Sequence, residues 1–355
     1  MRIKTGLGLF IVLLLACGMG FCGYREVQNA KKEFAEAEAA LPESAISTYF
    51  AQIRNKDFDG IYEDSMIVSP HINSKADYIA RLEEIYSGVN TSDIEYTGLE
   101  NTDGSKDYKL YYDKKYLATL KLIKADDGKW MASTIFSGDQ DYVIEVPTGL
   151  TITANGVKIG PEYLLESNKV ASNFTGLKDT SEAPHVDVYE LTNLLGEPVI
   201  EVDGQSGYGT LKDVLTGHIF IGKTTNDSTL AQTMIDDAEI CAKWPAQEGS
   251  LGAVQAISIT ASDWYSRVAG VQNNWFTAHG TSSFTNQNAF NIIQQSDDSM
   301  VGFVTFDYYA SNGEVSRTWN VGYQMTFLNV GGTWKIAGMA INNEMNPNKV
   351  TPLQD

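Results

Sequence analysis

Two stretches of this sequence run in the same order, and that recurrence constrains the fold more than any other feature. In the first, Ala45, Ile46, Tyr49, Phe50 and Ile53 recur at helical spacing after a first-turn proline, Pro42. Tyr78, Ile79, Leu82, Ile85 and Tyr86 mark a further helix that Gly88 closes, and strand-like runs follow at 94–99, 108–123 with a turn near Asp113, and 130–136. In the second, residues 257–269 read as one amphipathic helix carrying Trp264 and Tyr265, and Trp275 and Phe276 come next. Strands are then expected at 282–293, 300–310, 315–329 and 334–341. Asp127-Gly128-Lys129-Trp130 precedes the last strand of the first stretch, and Gly331-Gly332-Thr333-Trp334 that of the second. Helices followed by a meander predict an α+β class in which helices cover one face of a curved antiparallel sheet, here twice.

Helical periodicity is lost between about 142 and 223. Asn155-Gly156, between Thr151-Ile152-Thr153 and Val157-Lys158-Ile159, is a strong type I′ hairpin signal, so this segment reads as a small all-β module flanked by the two helix-and-sheet domains. The N-terminus has a different character. Arg2 and Lys4 precede a charge-free stretch from Thr5 to Tyr24, which is long enough at 1.5 Å per residue to cross a bilayer core of about 30 Å. Positive charge on its N-terminal side predicts a single-pass anchor with the N-terminus cytoplasmic and the body extracytoplasmic. A lipoprotein signal, with Cys17 lipidated after Leu14-Leu15-Ala16, is the alternative. The expected organisation is therefore 1–24 anchor, 25–41 helical stalk, 42–139 first domain, 140–224 β module, 225–345 second domain and 346–355 tail.

Composition narrows the function classes. The 355 residues include 26 Lys plus Arg against 45 Asp plus Glu, a formal net charge of −19, which repels phosphate backbones and argues against nucleic-acid partners. The three cysteines are Cys17 and Cys22 in the apolar segment and a solitary Cys241, so no disulfide scaffold or Cys-rich zinc site is expected. Gly18-Met19-Gly20-Phe21-Cys22-Gly23 matches the dinucleotide fingerprint but sits in the membrane segment, outside any βαβ unit.

At the level of families, Glu43 to Phe136, with Asn55-Lys56-Asp57-Phe58-Asp59-Gly60, the 78–88 helix and Trp130, resembles the nuclear transport factor 2-like cone that precedes the catalytic domain of low-affinity penicillin-binding transpeptidases. Tyr142 to Ile159, Val188-Tyr189-Glu190-Leu191 and the C-terminal cone resemble the extracellular part of the teicoplanin-resistance-associated TcaA family of Gram-positive membrane proteins. The resemblance implies two nuclear transport factor 2-like cones in a bacterial cell-envelope protein. The sequence departs from that family in lacking a cytoplasmic zinc ribbon, since no cysteine precedes Cys17.

Chemistry is sparse. No serine has a lysine three residues later, so the transpeptidase motif S-x-x-K is absent, and Gly204-Gln205-Ser206-Gly207-Tyr208 misses the nucleophile elbow at its last position. Asn55 to Gly60 imitates the start of a calcium loop, but the closing glutamate position is Met66, which favours a helix–helix turn. His71, His185, His218 and His279 have no metal-ligand spacing, and no metal or cofactor is expected. Aromatic residues of the second cone, Trp264, Trp275, Phe303, Tyr308 and Tyr323 among them, are candidates for a ligand pocket and equally for core. The leading expectation is a non-catalytic envelope protein that binds a partner protein, a wall component or a small ligand. The alternative is an enzyme or small-molecule sensor in which His279 and Asp307 form a proton-transfer pair in the C-terminal cone.

Overall fold

A computed structural model of the chain describes residues 31–32, 37, 41–68, 70–125, 128–136, 140–271 and 280–349. The expected membrane span, Cys17, most of the stalk, Trp275 and His279 lie outside the described residues. Among the described residues, no helix is long and apolar enough to cross a membrane. The fold is mixed α+β and divides into two compact units, 1–139 and 140–355.

The first unit places three helices, α1 (Pro42–Asn55), α2 (Phe58–Val68) and α3 (Lys75–Ile85), before an antiparallel meander of β1 (Glu95–Glu100), β2 (Lys106–Tyr112), β3 (Lys115–Lys124) and β4 (Trp130–Ile135) in sheet order 1-2-3-4. Helix α1 buries the residues its spacing predicts, Ala45, Ile46, Tyr49, Phe50 and Ile53. It ends in a Schellman motif: Lys56 is left-handed at φ 56°, its N–H bonds Ile53 O, and Asp57 N–H bonds Gln52 O. Asp57 then turns its carboxylate onto Gly60 N at 3.1 Å, at the start of α2. The Asn55–Gly60 motif is thus a paired helix stop and start. Ser74 caps α3 by accepting from Asp77 N, and Leu110, Leu120, Leu122, Tyr78 and Leu82 form the interior.

In the second unit β5 (Gln140–Pro147), β6 (Ile152–Ala154), β7 (Val157–Lys158), β8 (Leu164–Val170), β9 (His185–Leu194), β10 (Ile200–Val202), β11 (Tyr208–Lys212) and β12 (Ile219–Thr224) precede three helices. These are α4 (Ser228–Lys243), α5 (Leu251–Ile257) and α6 (Asp263–Ala269), and long strands follow: β13 (Thr281–Ser296), β14 (Ser299–Ser311), β15 (Ser316–Val330) and β16 (Thr333–Ile341). Asn155 and Gly156 both have positive φ and turn β6 into β7, the hairpin that the dipeptide predicts. The β-rich segment and the second helix-and-sheet domain share one sheet of order 16-15-14-13-12-5-9-8, because β12 pairs with β13 at one end and with β5, in parallel, at the other. The crossing is tight. A Cβ on Gly222 would meet the Gln294 backbone at 2.7 Å, so only glycine lets the two strands approach there.

The long sheet curls because β13 carries register shifts after Thr285 and after Phe290. Asn286 and Asn291 occupy the left-handed region within them, a conformation that asparagine tolerates. The single helix expected over 257–269 is broken. Ile257 ends α5, Ile259 N–H bonds the Ile336 carbonyl of β16, and Ser262 starts α6 by capping Tyr265 N. The segment expected as a tail is docked through its first residues: Asn346 is buried and donates to the Phe306 and Val321 carbonyls.

Candidate functional site

Strand parity decides which side chains of the second unit meet its helices. Strand β14 pairs with β15 without a register shift, so its side chains alternate strictly. Val304, Phe306, Tyr308 and Ala310 join the core shared with α4, α5 and α6, and Trp319, Val321, Tyr323, Met325 and Phe327 of β15 face the same way. Odd positions of β14 point to the other side. Phe303 packs there with Leu211, Phe220, Ile293 and Val301, so it is not part of the pocket expected from the aromatic content.

Asp307 also faces away from the helices. Its carboxylate accepts from Asn286, Asn320 and Asn348 at 2.7 Å each and from Asn346 at 3.3 Å. Burial pushes its pKa up, but the four amide donors prevail and hold it below the ordinary carboxylate value. It clamps three strands to the C-terminal segment and has no access to the helix side, which removes it from the expected acid–base pair.

On the helix side a cavity of about 380 Å³ remains between α4, α6 and strands β14 to β16. That volume is in the range of small-molecule sites. Trp264 from α6, Tyr308 from β14 and Tyr323 from β15, three of the five residues expected from sequence, line it together with Trp319. Exposed Val271 and Ile341 mark its approach to solvent. Cys241 and Trp244, which close the α4 side, were not anticipated, although α4 announces itself by Asp227 capping Thr229 N and by Met234, Ala238, Cys241 and Ala242 on one face. Trp244 donates its indole N–H to the Val268 carbonyl at 3.1 Å, which fixes α4 against α6.

Tyr308 stacks at a tilt on Trp319 with ring centroids 5.7 Å apart, and its buried hydroxyl faces the Glu248 carboxylate and Ser282. Burial, and then the nearby Glu248 carboxylate, push the Tyr308 phenol up. Burial likewise raises Tyr323 and the Cys241 thiol, so the thiol stays protonated and unreactive at neutral pH. One helical turn before Cys241, Asp237 is pushed up to about 7 by burial and by Asp236, with Lys335 opposing. Among the described residues no cluster of His, Cys, Asp or Glu is arranged to hold a metal ion.

Trp130 and Trp334 stand on the helix side of their strands, but both rings are half-buried at the sheet margin and not in the core. Lys106 Nζ lies 5.8 Å from the Trp130 ring centroid, and Trp334 packs at the edge of the second unit's core.

No protein-family profile matches the chain, and no curated protein matches it. Among solved structures, an "Ntf2 like protein involved in plasmid conjugation" is similar at 9% identity with a TM-score of 0.26, over 73% of this chain and 78% of that one. The TcaA resemblance rests on the element order and turn motifs quoted for it.

Proposed function

We propose that this chain is a non-catalytic, membrane-anchored protein of a bacterial cell envelope whose second unit binds a small, largely apolar ligand. The observation that carries the reading is the cavity walled by Trp264, Trp319, Tyr308 and Tyr323, whose lining residues carry no charge. The first unit is assigned to contact with an envelope protein or wall component. Nuclear transport factor 2-like ancestry of both helix-and-sheet domains, and kinship with the TcaA family, belong to the same reading. The charge-free run from Thr5 to Tyr24 behind Arg2 and Lys4 supports an extracytoplasmic body. A lipid anchor at Cys17 is the other route to the same location. Catalysis is left out because Asp307 is spent on four amides on the far side of the sheet.

The ligand half of the proposal is tested with the uncharged dye N-phenyl-1-naphthylamine. Its fluorescence should rise on mixing with the full chain, and Ala242→Phe, which fills the cavity from α4, should abolish the rise. A wild-type chain that leaves the dye dark overturns the reading. For the location, protease added to intact cells should degrade the body beyond Arg25, and protection of that body reverses the orientation.

A further inference from the structure

The first unit holds a concave space of its own. A cleft of about 310 Å³, at the small end of ligand sites, lies between α1, α2 and the start of β4. The row of α1 residues beside its buried stripe forms one wall. Ser44, Thr48 and Gln52 recur every four residues and so follow one another about 6 Å apart along the helix, presenting two hydroxyls and an amide to the cleft. Gln52 donates to the Asp64 carboxylate at 2.9 Å, which holds two planar polar groups at the end of that row. The strand side supplies Trp130, which is half-buried, so part of its ring stays accessible. Tyr49 adds only ring surface, because its hydroxyl is engaged with Tyr86 and Thr134.

Such walls suit a molecule with apolar faces and hydroxyl-bearing edges. The negative face of an aromatic ring attracts the weakly positive C–H groups of a saturated ring. Hydroxyl, amide and carboxylate groups between them donate and accept, which is what ligand hydroxyls also do. Charge in the lining is balanced, with one carboxylate at Asp64 and one ammonium at Lys129. An anion therefore meets repulsion as well as attraction. A purely apolar ligand would strip water from the polar row and return no hydrogen bonds. We propose that this cleft binds one neutral pyranose unit of a glycan, its C–H face on Trp130 and its hydroxyls on Thr48, Gln52 and Asp64. The proposal rests on the assignment of the first unit to a wall component and names the chemical class of that component.

The test is calorimetric titration of the full chain in lipid nanodiscs, with empty nanodiscs as blank. The probes are chitotriose, trigalacturonate as an anionic sugar of the same length, and trialanine as a short peptide. Chitotriose should bind at least about tenfold more tightly than either of the others. Trp130→Ala should weaken it about threefold to tenfold. Thr48→Val, a change at an exposed position, should weaken it about twofold to tenfold and leave the melting temperature unchanged. Tighter trigalacturonate or trialanine overturns the neutral-sugar class, and chitotriose affinity unchanged in both variants overturns the location. If chitotriose fails to bind while the chain still sediments with purified cell-wall sacculi, the sugar class falls and the wall-component assignment stands. If the chain binds neither, both fall.

Discussion

The two helix-on-sheet units of this chain close their interiors in different ways. In the first, three helices press large phenols together. Tyr49 donates to Tyr86 at 3.1 Å and lies 2.8 Å from the Thr134 hydroxyl, while Tyr78 bonds the Thr134 backbone. These polar tips meet one another, and the cavities of the first unit, of about 310 and 440 Å³, are lined by charged and polar side chains as well as apolar ones. In the second, α5 and α6 have only seven residues each, and the phenols of Tyr308 and Tyr323 stand on the sheet facing a space that the helices leave open. The same plan therefore yields polar-lined clefts in the first unit and an apolar pocket in the second. Charge divides the same way: the buried carboxylates among the described residues, Glu145, Asp213, Asp237 and Asp307, all belong to the second unit.

The largest expected contrast is in pH dependence. Asp237 is pushed up to about 7 in the fold, above the value of about 3.9 in an unfolded chain. The folded state thus holds the proton more tightly, so the contribution of Asp237 is full below about pH 4 and is lost as pH rises through about 7, by up to about 4 kcal/mol. Asp237→Asn should flatten that slope and raise the melting temperature of the second unit at pH 7.5, as hydrogen exchange resolved by unit would report. An unchanged slope would place the carboxylate in water. Asp307 works in the opposite sense. Its lowered pKa adds stability above its unfolded value, and that stability is lost as pH falls further through the folded value.

Next in size is the response to added volume. Ala118 is fully buried in the sheet of the first unit, so Ala118→Leu should overpack it and cost about 1–3 kcal/mol. Ala242 borders the open cavity, and Ala242→Leu should leave stability unchanged or raise it by about 1 kcal/mol. Equal losses in thermal unfolding would show that the cavity is already occupied by protein atoms.

Removing hydroxyls probes the two interiors. Tyr49→Phe strands the partners Tyr86 and Thr134 and should cost about 1–2 kcal/mol, while Tyr308→Phe takes a partner from the Glu248 carboxylate and should cost about 1 kcal/mol. Urea titrations of the two variants compare them directly. No loss for Tyr308→Phe would mean that water replaces the phenol beside that carboxylate. Trp130→Ala and Trp334→Ala should likewise each cost about 1–2 kcal/mol, below the 3–5 kcal/mol of a core tryptophan, because both rings are half-buried. A larger loss at either would return that ring to the core.

The sequence by itself determined the parts whose signals are local. The spacing of Ala45 to Ile53, the Asn155-Gly156 turn, the helix stop and start at Asn55 to Gly60, and the four long C-terminal strands all follow from side-chain period and turn chemistry within a few residues. Strand parity was also present. Residues 303 and 308 differ by an odd number, and on one regular strand that puts Phe303 on the side opposite Tyr308, with Asp307 beside it. Three features came only from tertiary structure. Helix formation over 257–269 gives way at Ile259 because a backbone bond to Ile336, far along the chain, wins over local propensity. The β-rich segment joins the second unit's sheet because β12 pairs with β5 through Ile219 and Phe220 and, where glycine at 222 permits the approach, with β13, two strands that no local pattern pairs. Whether an aromatic fills core or lines a cavity depends on how much volume α4 and α6 occupy above the sheet, and that is fixed by long-range pairing and helix docking that local spacing does not encode.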